Sequence, residues 1–268
     1  MSEGHSWPSP QPQRPPRASD RADSAGVPFA GRHFEPNPAA DDDGSASPRL
    51  LEAIRRFRAR EVGQADVVAA LHGARLLIPL LAVRGDEGVG AHGQLVDKTQ
   101  ELSIVTVGGP DGRAVLPAFT SVAALGVWDP AARPIPIEAP RVALAAASEG
   151  TPVIMLDPGS PTEFAVRAPA YRAVATGEKW MPSFEDDAVL RAFLEAVESE
   201  DAVHALGIAA GDPDARQAGP EVLALLSLRP GLDRAELDAL LARLQERWAA
   251  HPVIAQRVDS IALRLDAA

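Results

Sequence analysis

Three places in the chain hold side chains from which a site could be built: Lys98, the run Phe119-Thr120-Ser121, and the turn Asp157-Pro158-Gly159-Ser160-Pro161-Thr162. Hydroxyls placed where a strand hands over to a helix sit beside free backbone N–H groups, and together these can hold an anionic group. Thr120 and Ser121 fit that description. Lys98 or Arg113 could add positive charge, and Asp157 and Ser160 would form an acidic, hydroxyl-rich edge if strand order brings the two turns together. Lys98, Thr120, Ser121, Asp157 and Ser160 are therefore the ligand-binding candidates, for a small anionic metabolite. A plainer reading stands beside this one. Ser121 or Thr120 caps a helix while Phe119, Leu125 and Trp128 fill the core, and Asp157 accepts backbone hydrogen bonds in a turn that Asp-Pro and Pro-Gly favour unaided.

Other chemistries lack their residues. There is no cysteine, so thiolate nucleophiles, Fe–S clusters and cysteine zinc sites are excluded. The six histidines are scattered without a HExxH or an i,i+4 pair. "GVGAHG", Gly88 to Gly93, matches GxGxxG, but the "QLVDKTQELSIV" that comes after it reads as extended chain where a dinucleotide loop needs a helix. No GxSxG elbow, P-loop or kinase signature is present. Glu185, Asp186 and Asp187 lie at an expected helix start, where negative charge suits the dipole. "RRFRAR", from Arg55 to Arg60, reads as a solvated helix end or a local surface for an anionic partner. No catalytic residue, metal or cofactor is assigned.

The 268 residues allow one large domain or two small ones plus a tail, with a core built from Leu, Val, Ile and Ala because aromatics are only 4%. A formal charge of -11 makes nucleic acid and anionic lipid poor partners. The N-terminus has no apolar signal region, and "LLIPLLAV" is too short to span a bilayer, so a cytoplasmic protein off the membrane is expected.

The pattern predicts an α+β chain: a disordered Pro/Gly/Asp-rich tail at 1–47, an N-terminal mixed-sheet domain with flanking helices at 48–183, a helical connector at 184–200, and a smaller ββαβ-type sandwich domain at 201–268. Ser47-Pro48 opens the first helix. "ARLLIPLLAV", "QELSIVTV" and "RAVLPAFT" are expected to form a three-strand meander. Ser183 is expected to cap the connector, whose stripe is Val189, Leu190, Phe193 and Val197. Asp233 and Glu236 can form a capping box for a long helix with Leu237, Leu240, Leu241, Leu244 and Trp248 on one side.

The order of these motifs resembles the SseB family, named for enhanced serine sensitivity. "ALHGARLLIPLLAV", "VLPAFTSVAALGVW", "VIMLDPGSPTEF" and, after the connector, "GIAAGDPDARQAGPEVLALL" carry the likeness over roughly residues 48 to 268. The resemblance implies an α+β N-terminal domain and a separate SseB-type C-terminal domain. It supplies no catalytic residues to carry over. Family members typically have an aromatic-Thr-Ser/Asp turn, matched by Phe119-Thr120-Ser121, and an Asn-Pro turn; here Asp157-Pro158 puts an acid where that amide would stand.

Two functions remain open. The first is a non-enzymatic binding or regulatory protein acting through a protein partner, with an apolar patch expected on a sheet face or edge of the C-terminal domain. The second is a metabolite sensor or enzyme with a pocket near the Thr120-Ser121 and Asp157 turns.

Overall fold

Arg133–Glu138, "RPIPIE", is a strand that its two prolines conceal, and it pairs with Arg75–Leu80, which bridges to the sheet carrying the candidate turns. The computed structural model describes residues 42–80, 87–89, 95–97 and 106–267. After helices α1 (Pro48–Arg58) and α2 (Gln64–Leu71), strand β1 (Arg75–Leu80) runs antiparallel to the prolyl strand, β6. Leu77 exchanges both of its backbone hydrogen bonds with Phe119, at 2.8 Å each. Its partner in β6, Pro136, therefore needs no N–H toward β1, and Pro134 opposite Pro79 is placed alike. Prolines at alternate positions are tolerated on such an edge strand.

Strands β2 (Glu87–Val89) and β3 (Leu95–Asp97) form their own antiparallel pair. A strand thus comes after "GVGAHG" where a dinucleotide loop would require a helix. The main sheet has the order β4-β5-β7-β8, from β4 (Val107–Gly108), β5 (Ala114–Ala118), β7 (Val153–Leu156) and β8 (Phe164–Arg167). The expected meander is corrected here. β1 joins this sheet only through the Leu77–Phe119 bridge, because its other edge is taken by β6, and β5 pairs in parallel with β7. Helices α3 (Val122–Trp128) and α4 (Ala139–Ser148) make that crossover, and α5 (Ala168–Thr176) comes directly after β8. Apolar faces of α1, α2, α4 and α5 pack on β1, β5, β7 and β8 around Leu50, Leu76, Leu116, Ile154 and Phe164.

A 3₁₀ turn (Ser183–Glu185) leads to α6 (Asp187–Glu195), capped by Asp186 through Ala188 N–H and not by Ser183. β9 (Val203–Ala210), β10 (Val222–Leu228) and β11 (Ile261–Ala267) form a second sheet, β11-β10-β9. Helices α7 (Arg234–Ala250) and α8 (Pro252–Arg257) connect β10 to its parallel neighbour β11, the expected ββαβ order. The capping box of α7 forms as read, with Asp233 Oδ1 accepting from Glu236 N–H at 2.8 Å and Glu236 Oε2 from Asp233 N–H at 2.9 Å. Phe193, Leu226, Leu244 and Trp248 centre this second core.

The loop 211–220, which the sequence pattern makes a simple turn, reaches back into the first core and buries Ala215 there. Arg58 donates to the carbonyls of Asp214 and Glu163, and Arg60 to the Pro213 carbonyl at 2.9 Å and to Asp214 Oδ1. Two of the four arginines of "RRFRAR" are thus clamps on this loop, where a solvated helix end was expected. Ala215 and Gln217 take φ of 48° and 57°, a left-handed backbone that costs a non-glycine residue roughly 1 kcal/mol and persists because the surrounding bonds fix it.

Candidate functional site

The parallel pairing of β5 and β7 puts the residues after both strands side by side, at their C-terminal ends. Asp157 stands directly after β7 with a φ of 43°, a conformation Asp tolerates better than most residues. Its carboxylate reaches across to β5: Oδ1 accepts from Thr120 N–H and Oδ2 from Thr120 Oγ1, both at 2.8 Å. Thr162 Oγ1 also donates to Oδ2 at 2.7 Å, and Ser160 Oγ lies 3.0 Å from Thr162 Oγ1. Of the five candidates, the fold therefore brings Thr120, Asp157 and Ser160 into one knot. Thr120 is 2% exposed and Asp157 1%. Three of the roughly four acceptor positions of the carboxylate are used within the chain.

Ser121 caps α3 by accepting from Ala124 N–H at 3.1 Å. The Val122 N–H, which could have faced a ligand, donates instead to the Gly44 carbonyl at 2.9 Å. Gly44 has φ of 75°, and a Cβ there would stand 2.5 Å from Val122 Cγ2, so only glycine fits the contact. Arg75 completes the clamp, donating to the Thr120 carbonyl, to the Ser45 carbonyl and to Asp42 Oδ1. Residues 42–47 are thus docked over the turn that opens α3. Lys98 lies outside the described residues. Arg113 precedes β5 whereas Thr120 lies beyond its other end, so the two stand about 20 Å apart along the strand and Arg113 adds no charge at the turn. Clefts open near Trp248, near Trp180 and near Arg113, and none of the three is lined by Thr120, Ser121, Asp157 or Ser160.

A second cluster, which sequence reasoning missed, lies where the two cores meet. Arg167, at the end of β8 and 6% exposed, donates to Asp259 Oδ2, Asp212 Oδ2 and the Gly219 carbonyl, each at 2.8 Å. Arg113 grips Asp259 with both terminal nitrogens, at 3.1 and 3.0 Å, and Asp111 through Nε at 2.7 Å. Burial pushes the Asp259 carboxyl up, but the hydrogen bonds and charges of the two guanidiniums outweigh it and hold the group below the usual carboxylate value. Asp212 also accepts from the N–H groups of Arg216 and Gln217, which sets the left-handed turn of the docked loop.

Glu221 adjoins this cluster, and its carboxyl is pushed upward, by burial above all. Ser183 Oγ donates to Glu221 Oε1 at 2.6 Å and lies 2.5 Å from the Arg257 carbonyl, and Glu221 Oε2 accepts from Asp259 N–H. The signal for Arg167 in the sequence is slight, a charged residue ending an apolar strand directly before Ala-Pro. Asp212 and Asp259 carry none, because Arg167 is 45 and 92 residues away, and Glu221 none, because Ser183 and Asp259 are each 38 residues away.

Residues 50–173 match the family model of the SseB protein N-terminal domain. This segment of the chain is thus similar to the SseB N-terminal domain. The matched SseB segment holds β1 to β8 and both candidate turns, so the Thr120–Asp157 knot is part of the family domain, while the Asp212, Glu221 and Asp259 ends of the second cluster come from beyond it. Searches of curated proteins and of solved structures returned no match.

Proposed function

We propose that this SseB-like chain is a non-enzymatic binding or regulatory protein that acts in the cytoplasm on a protein partner, held on the open face of the β9–β10–β11 sheet. One observation carries this reading. Leu223 and Leu225 of β10 point away from the helices, are half-buried, and belong to none of the buried clusters. Beside them in register stand Ala209 and Gly207 of β9 and Ala262 and Arg264 of β11. Two leucines beside three small residues make a shallow apolar surface with the exposed Arg264 at its border. Small molecules favour concave pockets, whereas a flat patch of this kind suits another protein. Among the described residues no helix is long and apolar enough to cross a membrane.

The test is a photo-crosslinking residue at Leu225, with one at Leu144, an exposed leucine on α4, as control. Protein adducts at position 225 that vanish with Leu223→Asp, in a chain of unchanged thermal stability, are the expected result. Equal adducts at both positions would overturn the reading.

The convergence of Thr120 and Asp157 favours a second reading, a sensor or enzyme for a small anionic metabolite. A ligand there stabilises by mass action. Thermal shifts with phosphorylated metabolites, lost in Thr120→Ala, would replace the first reading with this one.

A further inference from the structure

β11 is an edge strand seven residues long, parallel to β10 on one side and with no neighbour among the described residues on the other. An edge of that length exposes a row of backbone donors and acceptors that can template another strand. The direction of those groups is set by the ladder. Val222 N–H donates to the Ser260 carbonyl, so alternate residues from Ser260 onward turn their backbone groups toward β10. Ile261, Leu263, Leu265 and Ala267 turn theirs outward. On the helical side Leu265 remains 40% exposed, and an apolar cleft of about 470 Å³, lined by Trp248, Ile254, Val258, Ile261 and Leu263, runs beside the strand. On the other side stand Arg264 and Asp266, both exposed and 3.9 Å apart, too far for a hydrogen bond.

We propose that β11 pairs antiparallel with β11 of a second copy about a two-fold axis at Leu265, joining two three-stranded sheets into one of six. The charges select this register. An axis at Leu265 sets Arg264 of each copy opposite Asp266 of the other, giving two cross-strand ion pairs by one symmetry operation. An axis at Arg264 would oppose two arginines, and an axis at Leu263 would set Arg264 against Ala262. Opposite charges facing each other favour a strand pair, and like charges disfavour it. The same register puts Leu265 against Leu265 of the second copy and shields it. An isologous contact of this kind closes on itself and goes no further than a dimer. The five described residues from Leu263 to Ala267 pair about this axis, and a contact between two strand edges stays below the area of obligate interfaces, so the dimer is concentration-dependent. The edge adjoins the face carrying Leu223 and Leu225, because Arg264 stands beside Leu225, and Asp266→Arg, which lies beside Ser227, weakens the dimer without altering a neighbour of either leucine.

Sedimentation equilibrium of the full chain tests the pairing with two single variants, Arg264→Asp and Asp266→Arg. Both positions are exposed, and circular dichroism checks that the fold persists. Each variant alone sets like charges together twice and is expected to weaken dimerisation by about tenfold or more, from two pairs each reversed by up to about 1 kcal/mol. Mixed, the two variants regain opposite charges at both positions and are expected to form a heterodimer at least as tight as the wild type. A wild type that stays monomeric across the concentration range, variants that associate like the wild type, or a mixture that stays monomeric would each overturn the proposal.

Discussion

The chain buries two polar clusters, and they are built on opposite plans. At Asp157 one carboxylate is met by a backbone N–H and two hydroxyls, all from residues flanking neighbouring strands of one sheet. At Arg167 a guanidinium meets two carboxylates and a carbonyl from segments that arrive much later in the chain. The first closes the ends of two parallel strands within the family domain. The second fastens that domain to the loop 211–220 and to the start of β11. Buried neutral donors around one charge ask little of distant structure, whereas a buried ion cluster is safe only while every member is present.

The difference can be broken most directly at Arg167. Arg167→Ala leaves Asp212 and Asp259 buried with fewer partners and is expected to cost about 3–5 kcal/mol in denaturant unfolding, the range for stripping one member from a buried ion pair. A loss under about 1 kcal/mol would mean that water compensates the cluster. Asp157→Ala orphans the Thr120 N–H and is expected to cost about 2–3 kcal/mol, near the upper end for one buried unsatisfied donor. Asp157→Asn should change stability by less than about 1 kcal/mol, since Oδ1 still accepts from Thr120 N–H and the amide can donate to the hydroxyls of Thr120 and Thr162. That pair of results would show the knot to be indifferent to the charge at position 157.

A small effect is expected at Glu221, and it sharpens the contrast through pH. Folding raises the affinity of this carboxyl for its proton, so its stabilisation is full below the ordinary glutamate value and is lost as pH rises through the folded one. Asp259 has the opposite sign: its contribution is present above the ordinary aspartate value and is lost as pH falls through the depressed one. Glu221→Gln puts an amide donor toward Ser183 and keeps an acceptor for Asp259 N–H without a titration. Thermal unfolding of that variant is expected to lose the decline on the alkaline side, gaining about 1 kcal/mol there, while the acid-side loss stays.

Features whose partners lie close along the chain were legible in the sequence, and those with distant partners were not. The knot could be anticipated as two turns because Thr120 and Asp157 each end an apolar strand, and the parallel pairing then brought them together. The long helix was legible because Asp233 and Glu236 are three residues apart and its stripe repeats locally. The strand at Arg133–Glu138 was hidden because its prolines suppress the strand signal while satisfying the edge rule. The docked loop was hidden because Asp-Pro and Ala-Gly-Pro mark a turn whether it stays in solvent or enters a core. Ser183 was misplaced as a cap because a serine before an acidic helix start looks the same whether its hydroxyl serves the helix or a distant glutamate.

Ala215 sits among the buried residues of the first core, yet it is made long after Ala173, the last residue of the family match. During translation the amino-terminal half would ordinarily settle first. Here its hydrophobic interior stays short of one wall residue, Arg58 of the Asp214 carbonyl and Arg60 of the Pro213 carbonyl, until β9 and the loop beyond it have left the ribosome. Completion of the first half is thereby tied to arrival of the second, so a chain stalled at the connector presents an unfinished interior to chaperones and proteases.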